Sequence, residues 1–328
     1  MRMIKSLLRL IMLMATLLAA YLAYTVTRPL TLPVQTYEFA LNPGTSLKGL
    51  AHQMHLANVL PTEWTFVWMG RALGQASQIK AGNYEVTGSI SPLGLLNLVT
   101  KGQVSQSQIL ISEGYTFKQL RYILNVIPDI RHDSVGLSET NILQYIGAPG
   151  NKAEGLFFPD TYYFAKDSSD LALLKRAYQT MQQHLQENWA SRAPGLPLQS
   201  PYQALILASI VEKETGQAND RSMVAGVFIN RLRMAMPLQT DPTVIYGLGD
   251  HFDGNLRKRD LLTDTPYNTY TRGGLPPTPI ALPGLAALQA SLHPAMTDAL
   301  YFVARGDGSS QFSSTLAQHN RAVDRYQK

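Results

Sequence analysis

Two carboxylates close the most apolar stretch of this chain. In LILASIVEKETG, residues 205–216, the run of Leu205, Ile206, Leu207, Ala208, Ile210 and Val211 leads into Glu212 and Glu214. Ser200 is a candidate helix N-cap, Pro201 suits the first helical position, and Gln203 follows the cap at capping-box spacing. Gly216 is expected to stop the helix by taking a left-handed conformation. A helix apolar on every side belongs in a core, which would hold its last turn rigidly. Two positions subtend about 200° on a helix, so Glu212 and Glu214 cannot point into one cleft. Glu214 stands over Leu207, Ile210 and Val211 and so continues the greasier face. Desolvation there favours the neutral carboxyl and raises its pKa, which is what a general acid needs near neutral pH. The plainer alternative, two exposed carboxylates at a helix end, stays open at this point.

Several elements would have to position that turn. Leu171 to Ala193 reads as an amphipathic helix with Leu171, Leu174, Tyr178, Met181, Leu185 and Trp189 on its core stripe. Asn219 can cap a helix running to Met234, striped by Met223, Val224, Val227, Phe228 and Leu232, with Asn230 and Arg231 on another face. Gln239 to Gly249 and Thr265 to Gly284 are rich in Gly and Pro and read as irregular loops on a rigid scaffold. Within them Asp241, Tyr267, Asn268 and Tyr270 could orient hydroxyls or amides, although each taken singly could be only a turn residue. Upstream, a strand (QILIS) and a helix from Phe117 to Val126 precede a weakly patterned stretch, Pro128 to Asn151, of short helices and loop. Glu154 to Phe164 (EGLFFPDTYYF) is either a core strand with an aromatic corner or a wall for stacking sugar rings. A helix from Gly284 to His293, a hairpin of Tyr301 to Ala304 with Gln311 to Ser314, and a helix from Leu316 end the chain.

The N-terminal part has a different character. Arg2, Lys5 and Arg9 precede an uncharged run from Leu10 to Val26, closed by Arg28. This reads as an uncleaved anchor with its N-terminus in the cytoplasm. A signal peptide is the competing reading, but Tyr21 sits poorly at the −3 position for cleavage after Ala23. RPLTLP then reads as an extended linker before a module from about Val34 to Gln103. Its pattern is β-α-α-β-α. Tyr37 to Leu41 forms a strand, and Asn42-Pro43-Gly44 a turn. Ser46 opens one helix, and Thr62 caps another with Trp64, Val67, Trp68 and Leu73 on its apolar positions. A strand around Gly82 and a helix from Pro92 to Lys101 complete it. The whole chain of 328 residues is 45% hydrophobic and 16% charged, an ordinary globular composition. Its net charge of +5 without an internal basic run makes nucleic acid a poor partner. The absence of cysteine excludes disulfides, thiolate zinc sites and cysteine nucleophiles. The scattered histidines offer no metal-binding spacing. Lys213 adjoins the key helix, but no phosphate cradle stands out for a pyridoxal cofactor. No cofactor is expected.

ASIVEKET, FINRL, LQTDPTVIYG, YNTY and GLPP, in this order and at these spacings, resemble the endolytic murein transglycosylase (YceG-like) family across almost the whole chain. The resemblance implies an α+β fold class: an N-terminal transmembrane helix within residues 1–30, a small LysM-like module over 31–106, and a mixed α/β catalytic domain over 107–328. It implies a catalytic glutamate at the second Glu of E-K-E-T, Glu214, followed by a hydroxyl residue, Thr215. From the matching motifs come the substrate-binding candidates Thr215, Asn230, Gln239, Thr240, Asp241, Tyr267, Asn268 and Tyr270. The implied substrate is the peptidoglycan glycan strand, cut non-hydrolytically between N-acetylmuramic acid and N-acetylglucosamine to leave 1,6-anhydro ends. Implied too are a role in terminating or trimming nascent strands, membrane lipid and peptidoglycan synthases as partners, and a periplasmic catalytic domain on the inner membrane. A non-catalytic peptidoglycan-binding scaffold is the rival, and the environment of Glu214 separates the two: buried in a cleft, or paired on the surface.

Overall fold

The apolar runs of the sequence become helices wherever a cap and a 3.6-residue stripe coincide. A computed structural model describes residues 2–42, 44–102, 106–148, 150 and 152–327. The chain divides into two compact units, Met1–Ser107 with Tyr163–Asp167, and Gln108–Tyr162 with Ser168–Lys328. The architecture is mixed, with α-helices and short strand pairs.

The first unit begins with α1 (Arg2–Thr27), whose Leu10–Thr27 segment is long and apolar enough to cross a membrane. There follow β1 (Thr36–Leu41), α2 (Leu47–Leu56), α3 (Glu63–Ala72), β2 (Gly82–Thr87) and α4 (Pro92–Lys101). Strands β1 and β2 pair antiparallel, with Phe39 opposite Tyr84 and their rings stacked at 5.4 Å. Ser46 and Ser91 cap α2 and α4 through their side chains. The apolar face of α3 differs from expectation. Phe66, Met69 and Gly70 face the core, while Trp64 and Trp68 are 65% and 64% exposed and Leu73 is also exposed. Gly70 decides the rotation: a Cβ there would come within 2.5 Å of a Leu47 methyl, so the helices close on that glycine. Pro43 of the expected turn, Gln103 at the module's end and Asn151 lie outside the described residues.

The second unit contains, in order, β3 (Gln106–Leu110, from its third residue onwards), α5 (Phe117–Val126), β4 (Ile130–Arg131) and α6 (Glu139–Ile146). Only Thr161 and Tyr162 of strand β5 (Thr161–Ala165) belong to this unit, and then comes β6 (Ser168–Ser169), which pairs in parallel with β4. Next come α7 (Asp170–Ala190), α8 (Pro201–Glu214), α9 (Ala218–Arg233), α10 (Asp241–Leu248), α11 (Lys258–Leu262) and α12 (Leu285–Leu292). The hairpin β7 (Tyr301–Ala304) and β8 (Ser310–Ser313) and helix α13 (Leu316–Tyr326) finish the unit. Helix α8 is its centre: Ala204 to Val211 are all buried, against α7, α9, α10 and α12.

Three local expectations need correction. Thr215, extended at φ −144° and ψ 126°, ends α8, and Gly216 does not adopt positive φ. Gln217 rather than Asn219 is the N-cap of α9, without a side-chain bond. The stretch after Gln239 is not irregular. Thr240 is extended, Pro242 sits in the first turn, and Asp241–Leu248 is helical with Thr243 and Val244 buried. Proline there initiates a helix rather than breaking one, because a first-turn N–H has no intrahelical acceptor to lose.

Candidate active site

Ser200 accepts from the Gln203 amide at 3.3 Å, and Pro201 begins the helix, so α8 is anchored at one end by its cap and along its length by burial. Its last turn delivers the two glutamates to different loops. Glu212 Oε2 accepts from the Gly284 amide at 2.9 Å. Glu214 Oε2 accepts from the Thr240 hydroxyl at 2.7 Å. Both carboxyls titrate above their ordinary range, in each case first because burial disfavours the charge. For Glu214 the Thr240 hydroxyl works against that rise and the Asp241 charge adds to it. Raised pKa alone therefore does not separate them; location does. Glu212 fastens a loop, and the backbone there is so close that a Cβ on Gly284 would lie 1.9 Å from Glu113 Oε1. Glu214 lines a cavity of about 500 Å³. A larger cavity of about 720 Å³, beside α13, does not include it.

The loops after α9 are built to hold Thr240 against that carboxyl. Gln239 takes a left-handed φ of 51°, costly for a residue with a side chain, and its amide donates to the Thr269 carbonyl at 3.0 Å. The Thr240 amide donates to Thr269 Oγ1 at 3.1 Å, and Thr243 bonds both the Thr240 carbonyl and Thr269 Oγ1 at 2.8 Å. Asp241 accepts from the Tyr270 hydroxyl at 2.6 Å. That phenol is pushed up, first by burial and then by Asp241.

The expected site residues divide into two groups. Gln239, Asp241 and Tyr270 line the Glu214 cavity, and the buried Thr240 touches the acid itself. The others sit elsewhere. Asn268 is 0% exposed; its Nδ2 donates to backbone carbonyls of Leu261 and Thr263, and its Oδ1 accepts from the Tyr270 amide, so it organises the loop. The Tyr267 hydroxyl meets Thr278 at 2.9 Å and its ring abuts Tyr246. Asn230 donates to the carbonyls of Thr297 and Ala299, and the Thr215 hydroxyl accepts from the Gln217 amide.

Two functional groups were missed. Arg231, buried, donates from Nε to the Leu300 carbonyl at 2.7 Å and from Nη1 to Leu238 O and Gln239 Oε1, tying α9 to the hairpin and to the strained residue. Its only signal was its place beside Asn230 on the face of the helix away from the apolar stripe. Glu154, also buried, accepts from the Phe117 amide at 2.9 Å and from the Tyr246 hydroxyl at 3.1 Å. Burial pushes its pKa to about 7. Its signal was a carboxylate opening an aromatic run. Among the described residues no cluster of His, Asp or Glu could hold a metal ion.

A half-buried carboxyl with one hydroxyl donor, lining a cleft, is equipped for proton transfer. The model of the YceG-like family matches residues 39–325. The chain belongs to the YceG-like family. The endolytic murein transglycosylase of Bacillus subtilis (strain 168) is 32% identical over 311 residues, covering 89% of this chain and 85% of that protein. The same-named protein of Streptococcus pneumoniae serotype 2 (strain D39) is 28% identical over 281 residues, and this YceG-like chain spans about half, 50%, of its length. A crystal structure of a YceG-like protein from Listeria monocytogenes has 27% sequence identity and a TM-score of 0.56, covering 88% of this chain and 98% of that one.

Proposed function

We propose that this chain is a membrane-anchored endolytic lytic transglycosylase that cleaves peptidoglycan strands between N-acetylmuramic acid and N-acetylglucosamine. It is a lyase, and Glu214 is its acid–base residue. The observation that carries the reading is the setting of Glu214: half-buried at the end of a rigid helix, bonded to Thr240, and lining a cleft. Protonated Glu214 donates to the glycosidic oxygen as the bond to C1 breaks. The substrate's acetamido carbonyl stabilises the positive charge developing at C1. Glu214, now a carboxylate, takes the proton of the muramyl C6 hydroxyl, whose oxygen closes on C1. The proton returns to the enzyme, no water is consumed, and the product carries a 1,6-anhydro end. Two-carboxylate glycosidases need a second carboxylate set opposite the acid. Here the neighbouring Asp241 is taken up by Tyr270, which supports a single-glutamate route.

Three cations ahead of the apolar Leu10–Thr27 segment support a cytoplasmic N-terminus and an external second unit. The first unit, LysM-like in this reading, holds long strands. Membrane lipid surrounds α1, and peptidoglycan synthases are candidate partners in trimming nascent strands. The test is digestion of purified sacculi by the parent protein and by Glu214→Gln, with mass spectrometry of the ends. Anhydro ends from the parent and none from the variant support the reading. Reducing ends, or equal products from both, overturn it.

A further inference from the structure

The wall of the Glu214 cleft opposite α8 is made by the hairpin and α13, elements the expected site did not include. Three side chains from three elements are layered there. The Arg231 guanidinium lies 5.1 Å from the centre of the Tyr301 ring, and the His319 ring stacks on Tyr301 at 5.2 Å and 23°. His319 Nδ1 is buried without a hydrogen-bond partner, and the His319 side chain lines the cleft. Burial and the nearby Arg231 charge hold the imidazole below its ordinary pKa, so the ring is neutral at physiological pH. A buried N–H without an acceptor costs more than a buried lone pair without a donor, which leaves the proton on Nε2. The ring therefore offers the cleft one N–H donor. The same cleft is lined by the apolar Leu238, Phe302, Val303, Leu316 and Val323, beside the polar Ser310 and Gln327. One imidazole N–H beside apolar side chains matches an acetamido group, whose carbonyl oxygen accepts and whose methyl packs.

We infer that this wall recognises the acetamido group of an N-acetylated sugar, with His319 Nε2 donating to its carbonyl oxygen. The inference rests on the proposed glycan substrate. A donor on the carbonyl withdraws electron density and would blunt an acetamide that must stabilise C1. The sugar recognised by His319 is accordingly one that is held, not the one whose bond breaks. Its loss should appear in binding and KM, with kcat little changed.

The experiment measures binding of solubilised glycan strands, natural and chemically de-N-acetylated, by full-length protein in a Glu214→Gln background. His319→Phe keeps the stack on Tyr301 and removes the donor, and should weaken binding of natural strands about 5- to 10-fold, the scale of one neutral hydrogen bond. His319→Gln, whose amide N–H reaches the Nε2 position, should stay within about 3-fold of the parent. On de-N-acetylated strands the His319→Phe deficit should shrink below about 2-fold, since the new ammonium groups penalise both proteins alike and cancel in the comparison. Tight binding of natural strands by His319→Phe overturns the inference, as does a deficit that persists undiminished on de-N-acetylated strands or failure of His319→Gln to restore binding. A parent protein that neither binds nor cleaves glycan strands would instead mark failure of the underlying reading.

Discussion

The two units bury very different material. In the first, Thr100 is the single buried polar residue among those described, and its hydroxyl simply bonds back to the Leu96 carbonyl at 2.8 Å. The second buries Glu154, Asp170, Arg231, Thr240, Thr243, Asn268, Thr269 and others. Burying a polar group costs stability unless it is bonded, so each of these must be held by partners. The first unit is a core of aliphatic and aromatic side chains that asks nothing of chemistry, and what it does must happen on its surface, where Trp64 and Trp68 stand exposed. In the second unit a subset of the buried polar groups, Thr240, Thr243 and Thr269, is bonded together beside the end of α8. Chemistry follows from where the polar groups are buried, more than from where the charges are.

The sharpest way to break this contrast is to remove the proton from its centre. Glu214→Gln should lower cleavage of sacculi by about 10²-fold or more while shifting stability by no more than about 1 kcal/mol. Glu212→Gln should affect rate far less, because Glu212 fastens the loop at Gly284. Rates and melting curves of the two variants side by side decide the matter, and a dead Glu212→Gln beside an active Glu214→Gln would reverse the assignment.

Glu154 tests whether burial itself sets the pH response. Its folded pKa of about 7 lies above the ordinary 4.5. The protonated form is thus favoured by folding, and the stability it contributes is complete below about pH 4.5 and lost as pH rises through about 7. The shift corresponds to about 3 kcal/mol at most. Glu154→Gln should flatten the stability profile over that window, measured by denaturant unfolding at pH 4.5 and 8. An unchanged slope would remove Glu154 as its cause.

A smaller effect is expected at Thr240. Its hydroxyl lowers the Glu214 pKa, so Thr240→Val should raise that pKa and move the alkaline limb of the pH–rate profile upward. Rate near neutrality should fall by about 3- to 10-fold as the acid loses its one fixed hydrogen bond. A limb that stays put would mean that Thr240 does not touch the acid in the working enzyme.

The smallest expected change concerns the first unit. Trp64→Ala with Trp68→Ala should leave its stability within about 0.5 kcal/mol and weaken co-sedimentation with sacculi, without altering cleavage of short strands. A large loss of stability would mean that the two rings are covered after all.

Much of the fold could be read from the chain because local signals agreed. The caps Ser46 and Ser200 and the stripe of Leu171, Leu174, Met181 and Leu185 are all in place. Glu214 was legible because its face could be computed from three apolar neighbours at helical spacing. The face of α3 was not, because two tryptophans outweigh Gly70 on any hydropathy count, and close approach to Leu47 appears only in three dimensions. The α10 helix was hidden by Pro242, which reads as a breaker until Thr240 is known to precede the first turn. Asn268 and Tyr270 share one motif, yet the first turns inward to backbone and the second to the cleft, a difference that loop geometry alone decides.

The hairpin wall also has a consequence in the order of synthesis. The helix bearing the acid is translated before Tyr301 and His319, which finish the cleft. Arg231 and Asp220 on α9 already wait with a guanidinium and a carboxylate that the hairpin later meets at Leu300 and Ser310. An unfinished or C-terminally clipped chain would therefore carry its glutamate without a pocket to use it in.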